Sequence, residues 1–253
     1  MLAGLLALAT SIGVVTTPIP PLRYKIEVST SQEVDLSAMG QAKMTGDVAA
    51  VMFVSITMSD SGAGQLAHIV LDSMTITPSG MMEQQFDPSL AGAAKGAFYH
   101  VYVMGGKVQG TPKPSMAENP ALALMGQAVQ MMFPGSTRAG LKMGESFADT
   151  TTTSNTSEAG TNTASSVTSW TLKGIDGDAM VFEGSSIGKM SVDGGPNAVT
   201  GTNTGRRTMT STAKGPIKSA TLTSALDISV VPAGMSDAIP VKGTSKVTVT
   251  QLN

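Results

Sequence analysis

The chain reads as a mainly β protein: a curved antiparallel sheet or half-open barrel of two similar lobes, with one central amphipathic helix at about residues 119–133. Three observations carry this expectation. Apolar and polar residues alternate with a period of two in one segment after another, as in strands with one buried face. Gly, Asp, Asn and Pro clusters separate those segments, as turns do. Only 13% of the 253 residues are charged, while Ser and Thr number 27 and 30; Thr in particular favours the extended backbone.

The first element is an uncharged run, Met1 to Val15 (MLAGLLALATSIGVV), ended by Thr16-Thr17-Pro18-Ile19-Pro20-Pro21. As a helix it would reach about 22 Å, short of the roughly 30 Å of a bilayer's hydrocarbon core. The length suits the apolar part of a signal peptide, with Ala7-Leu8-Ala9 as a small-x-small cleavage site. No Lys or Arg precedes the run, so a retained anchor is the other reading, with Leu2, Leu5, Leu6, Leu8, Ile12 and Val14 as its membrane contacts. Residues 1–21 are thus expected to be a signal-like or anchoring segment with a Pro-rich linker, and residues 22–253 a single β-rich domain.

The strands follow in order. Tyr24, Ile26 and Val28 alternate with Lys25, Glu27 and Ser29. Val51–Met58 is followed by a Ser/Asp/Gly turn at 59–64 and by Leu66–Ile76. Phe98–Met104 runs into Gly105-Gly106, a two-residue hairpin signal, and Lys107-Val108-Gln109 leads out. The second half repeats this grammar: Val167–Leu172, a turn at 174–178, Ala179–Glu183, then Arg207–Ala213 and Ile217–Val231 around Lys214-Gly215-Pro216, and finally Val241–Leu252. The tract Thr150–Ser166 has no large apolar residue and reads as a flexible loop or an exposed hairpin, and its threonines favour a hairpin extending past the core.

The helix interrupts this grammar. Asn119-Pro120 sets a capping side chain before a proline at the first helical position, and Ser115-x-x-Glu118 is an alternative cap. Leu122, Met125, Val129, Met132 and Phe133 recur at helical spacing, Gln127 and Gln130 take the other face, and Pro134-Gly135 ends the run. A second, shorter helix is expected within Asp87–Gly96. An amphipathic helix midway through a sheet protein packs most simply across the concave face.

Composition excludes several function classes. The 16 Lys and Arg balance 18 Asp and Glu, so no basic face marks a nucleic-acid binder. Zero cysteines remove disulfides, thiolate metal sites and cysteine nucleophiles. Gly184-Ser185-Ser186-Ile187-Gly188 matches the G-x-S-x-G pattern, but a nucleophile elbow needs a helix after it, and no helical periodicity follows here. His68 and His100, the only imidazoles, would bind a metal with a carboxylate such as Asp72 if their strands converged; ordinary strand histidines are the simpler reading. Eighteen methionines are scattered rather than clustered, as suits core filling or an adaptable apolar surface. No catalytic residue, metal or cofactor is expected.

One segment carries a resemblance. Leu141-Lys142-Met143-Gly144-Glu145-Ser146-Phe147 resembles a strand start found in uncharacterised bacterial exported proteins. These are similar in layout to the half-open β-barrels of lipoprotein-carrier and lipid-binding envelope proteins. The order of long strands, Met-rich helix, glycine-led strand and Thr-rich closing strands extends the likeness over roughly residues 22–252. Phe147 stands where the pattern carries Trp, and the lipidated Cys of many relatives is absent. The resemblance implies a non-catalytic fold that shelters an acyl chain, and supplies no catalytic residues.

Two functions follow as expectations. The first is a non-catalytic cell-envelope protein on the periplasmic side, binding a lipid or other apolar ligand, or a protein partner, on a concave β surface. Its groove would comprise Leu122, Met125, Val129, Met132 and Phe133. The alternative is an accessory structural subunit, anchored through the N-terminal run to a larger membrane protein complex.

Overall fold

The computed structural model describes residues 21–84, 86–116, 119–133, 140–157, 160–193, 197–212 and 217–252. The N-terminal apolar run, with the proposed anchoring side chains and cleavage site, lies outside the described residues, as do Glu118 and Pro134-Gly135.

Among the described residues, eleven strands form one antiparallel sheet. The first meander contains β1 (Leu22–Val34), β2 (Met44–Ser61), β3 (Gly64–Gly80), β4 (Phe98–Met104) and β5 (Lys107–Pro114). The second contains β6 (Ser146–Ser157), β7 (Gly160–Asp176), β8 (Ala179–Asp193), β9 (Asn197–Thr212), β10 (Ile217–Pro232) and β11 (Ile239–Gln251). Their spatial order is β5-β4-β3-β2-β1-β11-β10-β9-β8-β7-β6. The chain therefore starts at the centre, meanders out to one edge, crosses to the other edge, and meanders back until β11 pairs with β1. The two expected lobes are the two meanders, fused along this seam by pairs running from Tyr24–Gln251 to Val34–Val241.

Turn chemistry closes the hairpins. Gly105 and Gly106 have φ of 58° and 73°, so both central residues of the β4–β5 turn are left-handed, as a type I′ turn demands. The Thr-rich tract forms the β6–β7 hairpin, paired from Ser146–Thr171 to Ser157–Gly160. Several strands run well beyond their apolar stretches; β8 continues to Asp193 and β9 begins at Asn197. There Ser, Thr and Gly extend the ladder without a hydrophobic signature.

The crossover is helical. α1 (Ser89–Ala93) is a short turn of helix entered through Asp87, whose Oδ1 accepts the Ser89 N–H at 2.8 Å. α2 (Pro120–Met132) is the 13-residue helix. It touches the edge strand β5 and the central strands β1, β10 and β11, so it lies across the inner face. Asn119 precedes it, donating Nδ2 to the Leu90 carbonyl at 3.2 Å and accepting the Leu122 N–H at 3.0 Å. This ties α1 to α2.

The core lies on the inner face of the sheet, beneath α2, and draws on both meanders. Tyr24, Ile26, Met52, Val54, Ile69, Leu71, Leu122, Met125, Val129 and Met132 are all at most 1% exposed. Each fully buried aliphatic side chain stabilises by about 1.5–3 kcal/mol. Two buried tyrosines fasten this layer through their hydroxyls. Tyr24 donates to the Ile217 carbonyl at 2.8 Å, and Tyr99 donates to the Leu122 carbonyl at 2.7 Å.

Candidate functional site

Register defines what faces inward on the second meander. One inner row comprises Leu172, Phe182, Met209, Ala220 and Val249 on successive strands from β7 to β11. The next, two residues along each strand, is Trp170, Gly184, Arg207, Leu222 and Val247. The third is Thr168, Ser186, Gly205, Ser224 and Ser245. Along the strands the inner face thus changes from wholly apolar to wholly small and polar. Arg207 stands in the row at the boundary.

A cavity of about 630 Å³ opens over this boundary. Its apolar wall is Trp170, Met209 and Leu222 from the sheet, with Met131 and Phe133 from α2 and its C-terminal end, and Val108 from β5. Its polar wall includes Ser186, Asn203 and Ser224. At its mouth the two edge strands meet without pairing: Lys107 of β5 reaches Asp149 of β6, with Nζ 3.0 and 2.9 Å from Oδ1 and Oδ2. The sheet is therefore open in its hydrogen bonding, and an ion pair bridges its edges. Both side chains are about 40% exposed, so this bridge is worth at most about 1 kcal/mol.

Small residues open the polar wall. A Cβ at Gly205 would lie 2.7 Å from Ser186 Oγ, and one at Gly184 would lie 2.7 Å from Trp170 Cε3. Glycine at these two inward positions lets the neighbouring side chain lie over the sheet. Gly184-x-Ser-x-Gly188 is thus an interior stretch of β8, with the strand continuing past it. Ser186 is 7% exposed and faces the cavity.

Arg207 is half-buried, and its Nε is shielded with no hydrogen-bond partner among the described residues. Burial lowers its pKa from the ordinary guanidinium value, and the charge of Asp149 acts in the opposite direction.

The residues singled out from sequence fall in three places. Leu122, Met125, Val129, Met132 and Phe133 share one face of α2 and are buried against the sheet, between 0 and 3% exposed. Phe133 alone of the five borders the cavity. Gln130, on the other face, is exposed and also reaches the cavity. His68 and His100 do converge, opposite each other on β3 and β4. Their ring centroids are 4.6 Å apart, with Phe98 at 5.0 and 4.9 Å. This cluster is on the outer face, where Asp72 accepts the Ser55 hydroxyl at 2.6 Å. Desolvation, then the neighbouring His100, lowers the His68 pKa. No cluster of three or more potential metal ligands occurs among the described residues.

Trp170, Arg207 and Asn203 are the cavity residues that sequence reasoning missed, whereas Ser186 appeared there only within the G-x-S-x-G match. Parity was the available signal: counting back two from Met209, an obvious inward residue, reaches Arg207 and not Arg206.

No family model and no curated protein sequence matches the chain. Among solved structures, one of lipovitellin, described as concerning its lipid–protein interactions, is similar with a TM-score of 0.52 at 11% identity. The match covers 94% of this chain and 25% of lipovitellin, so the chain spans about a quarter of that protein's length. What the two share is the fold alone.

Proposed function

We propose that this protein binds an apolar or amphiphilic ligand, such as a lipid, between α2 and the inner face of the second meander. The carrying observation is the cavity itself. Its 630 Å³ falls within the roughly 300–1,000 Å³ of small-molecule sites, and Trp170, Met209, Leu222, Met131 and Phe133 supply an apolar wall. Methionine and aromatic side chains adapt to irregular apolar shapes. The likeness to lipovitellin supports the reading only through the fold. We further propose that the protein works without catalysis, at the cell envelope on the periplasmic side; the uncharged run at residues 1–15 motivates that location.

The test is mass spectrometry of an organic extract of the native protein, together with titration of Trp170 fluorescence by methyl oleate. Co-purifying lipid and a saturable change in emission are expected. An extract free of lipid and an unresponsive Trp170 would overturn the proposal. A chain found instead in a stable complex with membrane proteins, retaining Met1, would favour the accessory-subunit alternative.

A further inference from the structure

We propose that Arg207 makes the cavity selective for amphiphiles with an anionic head group, a long-chain fatty acid being the simplest. This inference rests on the ligand-binding reading above and adds the chemistry of the ligand's polar end.

The geometry is amphipathic in the required sense. Arg207 pairs with Gly184 on one side and Leu222 on the other. Beside this row lie Met209 and Phe182 towards the apolar end, and Ser186 and Ser224 towards the polar end. Strand rows two residues apart are separated by about 6.8 Å. A chain lying against Met209 and Trp170 would therefore bring its head group to Arg207 and the adjacent hydroxyls.

Charge selects the head group. The charged residues lining the cavity are Lys107, Asp149 and Arg207, two cations and one anion. Lys107 already holds both Asp149 oxygens. Arg207 lies farther from Asp149 than an ion-pair contact and keeps a shielded, unpartnered Nε. A half-buried cation whose nearby anion, Asp149, is already held by Lys107 is incompletely compensated, which is costly. A carboxylate entering the cavity would accept two parallel N–H bonds from the guanidinium, which an ester or alcohol of the same chain length cannot do.

The test compares oleate with methyl oleate on the full-length protein, reading emission from its single tryptophan. Charge-assisted hydrogen bonds predict oleate binding about ten- to a hundredfold more tightly. Arg207→Met should abolish the preference, bringing the ratio of oleate to ester affinity to about one. Arg207→Lys should keep part of the preference, and serves if the methionine variant does not fold. Equal affinities in the unmodified protein would overturn anion selection while leaving apolar binding intact. A preference persisting in Arg207→Met would overturn the assignment to Arg207. Binding of neither probe would overturn both readings.

Discussion

Gly184→Ala sets two physical effects against each other, and the structure decides between them. At a glycine with an ordinary strand conformation, alanine restricts the unfolded chain and stabilises by about 0.4–1 kcal/mol. The added Cβ at Gly184, however, would meet Trp170 Cε3 at 2.7 Å and the Ser169 carbonyl oxygen at 2.9 Å. The indole is only 7% exposed, so it cannot swing into water without losing its packing, and the carbonyl belongs to the paired backbone of β7. Overpacking of this kind costs about 1–3 kcal/mol. The net expectation is a loss of about 1–2 kcal/mol, which for a chain of this size lowers Tm by roughly 2–8 °C. Thermal unfolding followed by circular dichroism measures that shift. Fluorescence of the one tryptophan should report the displaced indole by a red-shifted emission. A raised Tm with unchanged emission is what unfolded-state entropy alone would produce, and it would refute the close approach of Trp170 to Gly184.

Two further predictions concern the core. Replacing Met125 and Val129, both 0% exposed, with Asp removes two apolar side chains worth about 1.5–3 kcal/mol each and buries carboxylates at further cost. Together these rival a typical total stability of about 5–15 kcal/mol, so the domain should unfold; unchanged thermal melting would show that α2 is not core. Alkaline titration tests the buried tyrosines. Burial pushes Tyr99 up to about 12 and Tyr24 higher still, from 10.0. Above pH 10 the unfolded chain loses these protons and the folded one keeps them, so stability is fully present below pH 10 and falls as pH rises through about 12. The slope approaches about 1.4 kcal/mol per pH unit for each tyrosine. Urea unfolding between pH 9 and 12 measures it, and Tyr99→Phe should flatten the decline; a flat profile in the unmodified protein would contradict the burial.

Much of the local structure was legible in the residues themselves. Tyr24, Ile26 and Val28 announce a strand with one buried face. Gly105-Gly106 demands a two-residue hairpin. Leu122, Met125, Val129 and Met132 can share a side only on a helix. Strand lengths in the second meander were not legible, because Ser, Thr and Gly in β8 and β9 carry no apolar alternation to mark where pairing ends. The meeting of His68 and His100 was equally hidden, since a spacing of 32 residues has no meaning until β3 and β4 pair.

The cavity belongs wholly to tertiary structure. A period of two divides each strand into two faces, but does not say which face turns inward. That is settled by pairs far apart in sequence: β1 against β11, and the edges β5 and β6 drawn together at Lys107 and Asp149. Arg206 and Arg207 are chemically identical neighbours in the sequence. Parity puts Arg207 on the face of Met209, but only the register of β9 against β8 and β10 sets it beside Gly184 and Leu222 and turns that face inward, with Arg206 on the outer face, because a one-residue slip exchanges the faces of a strand.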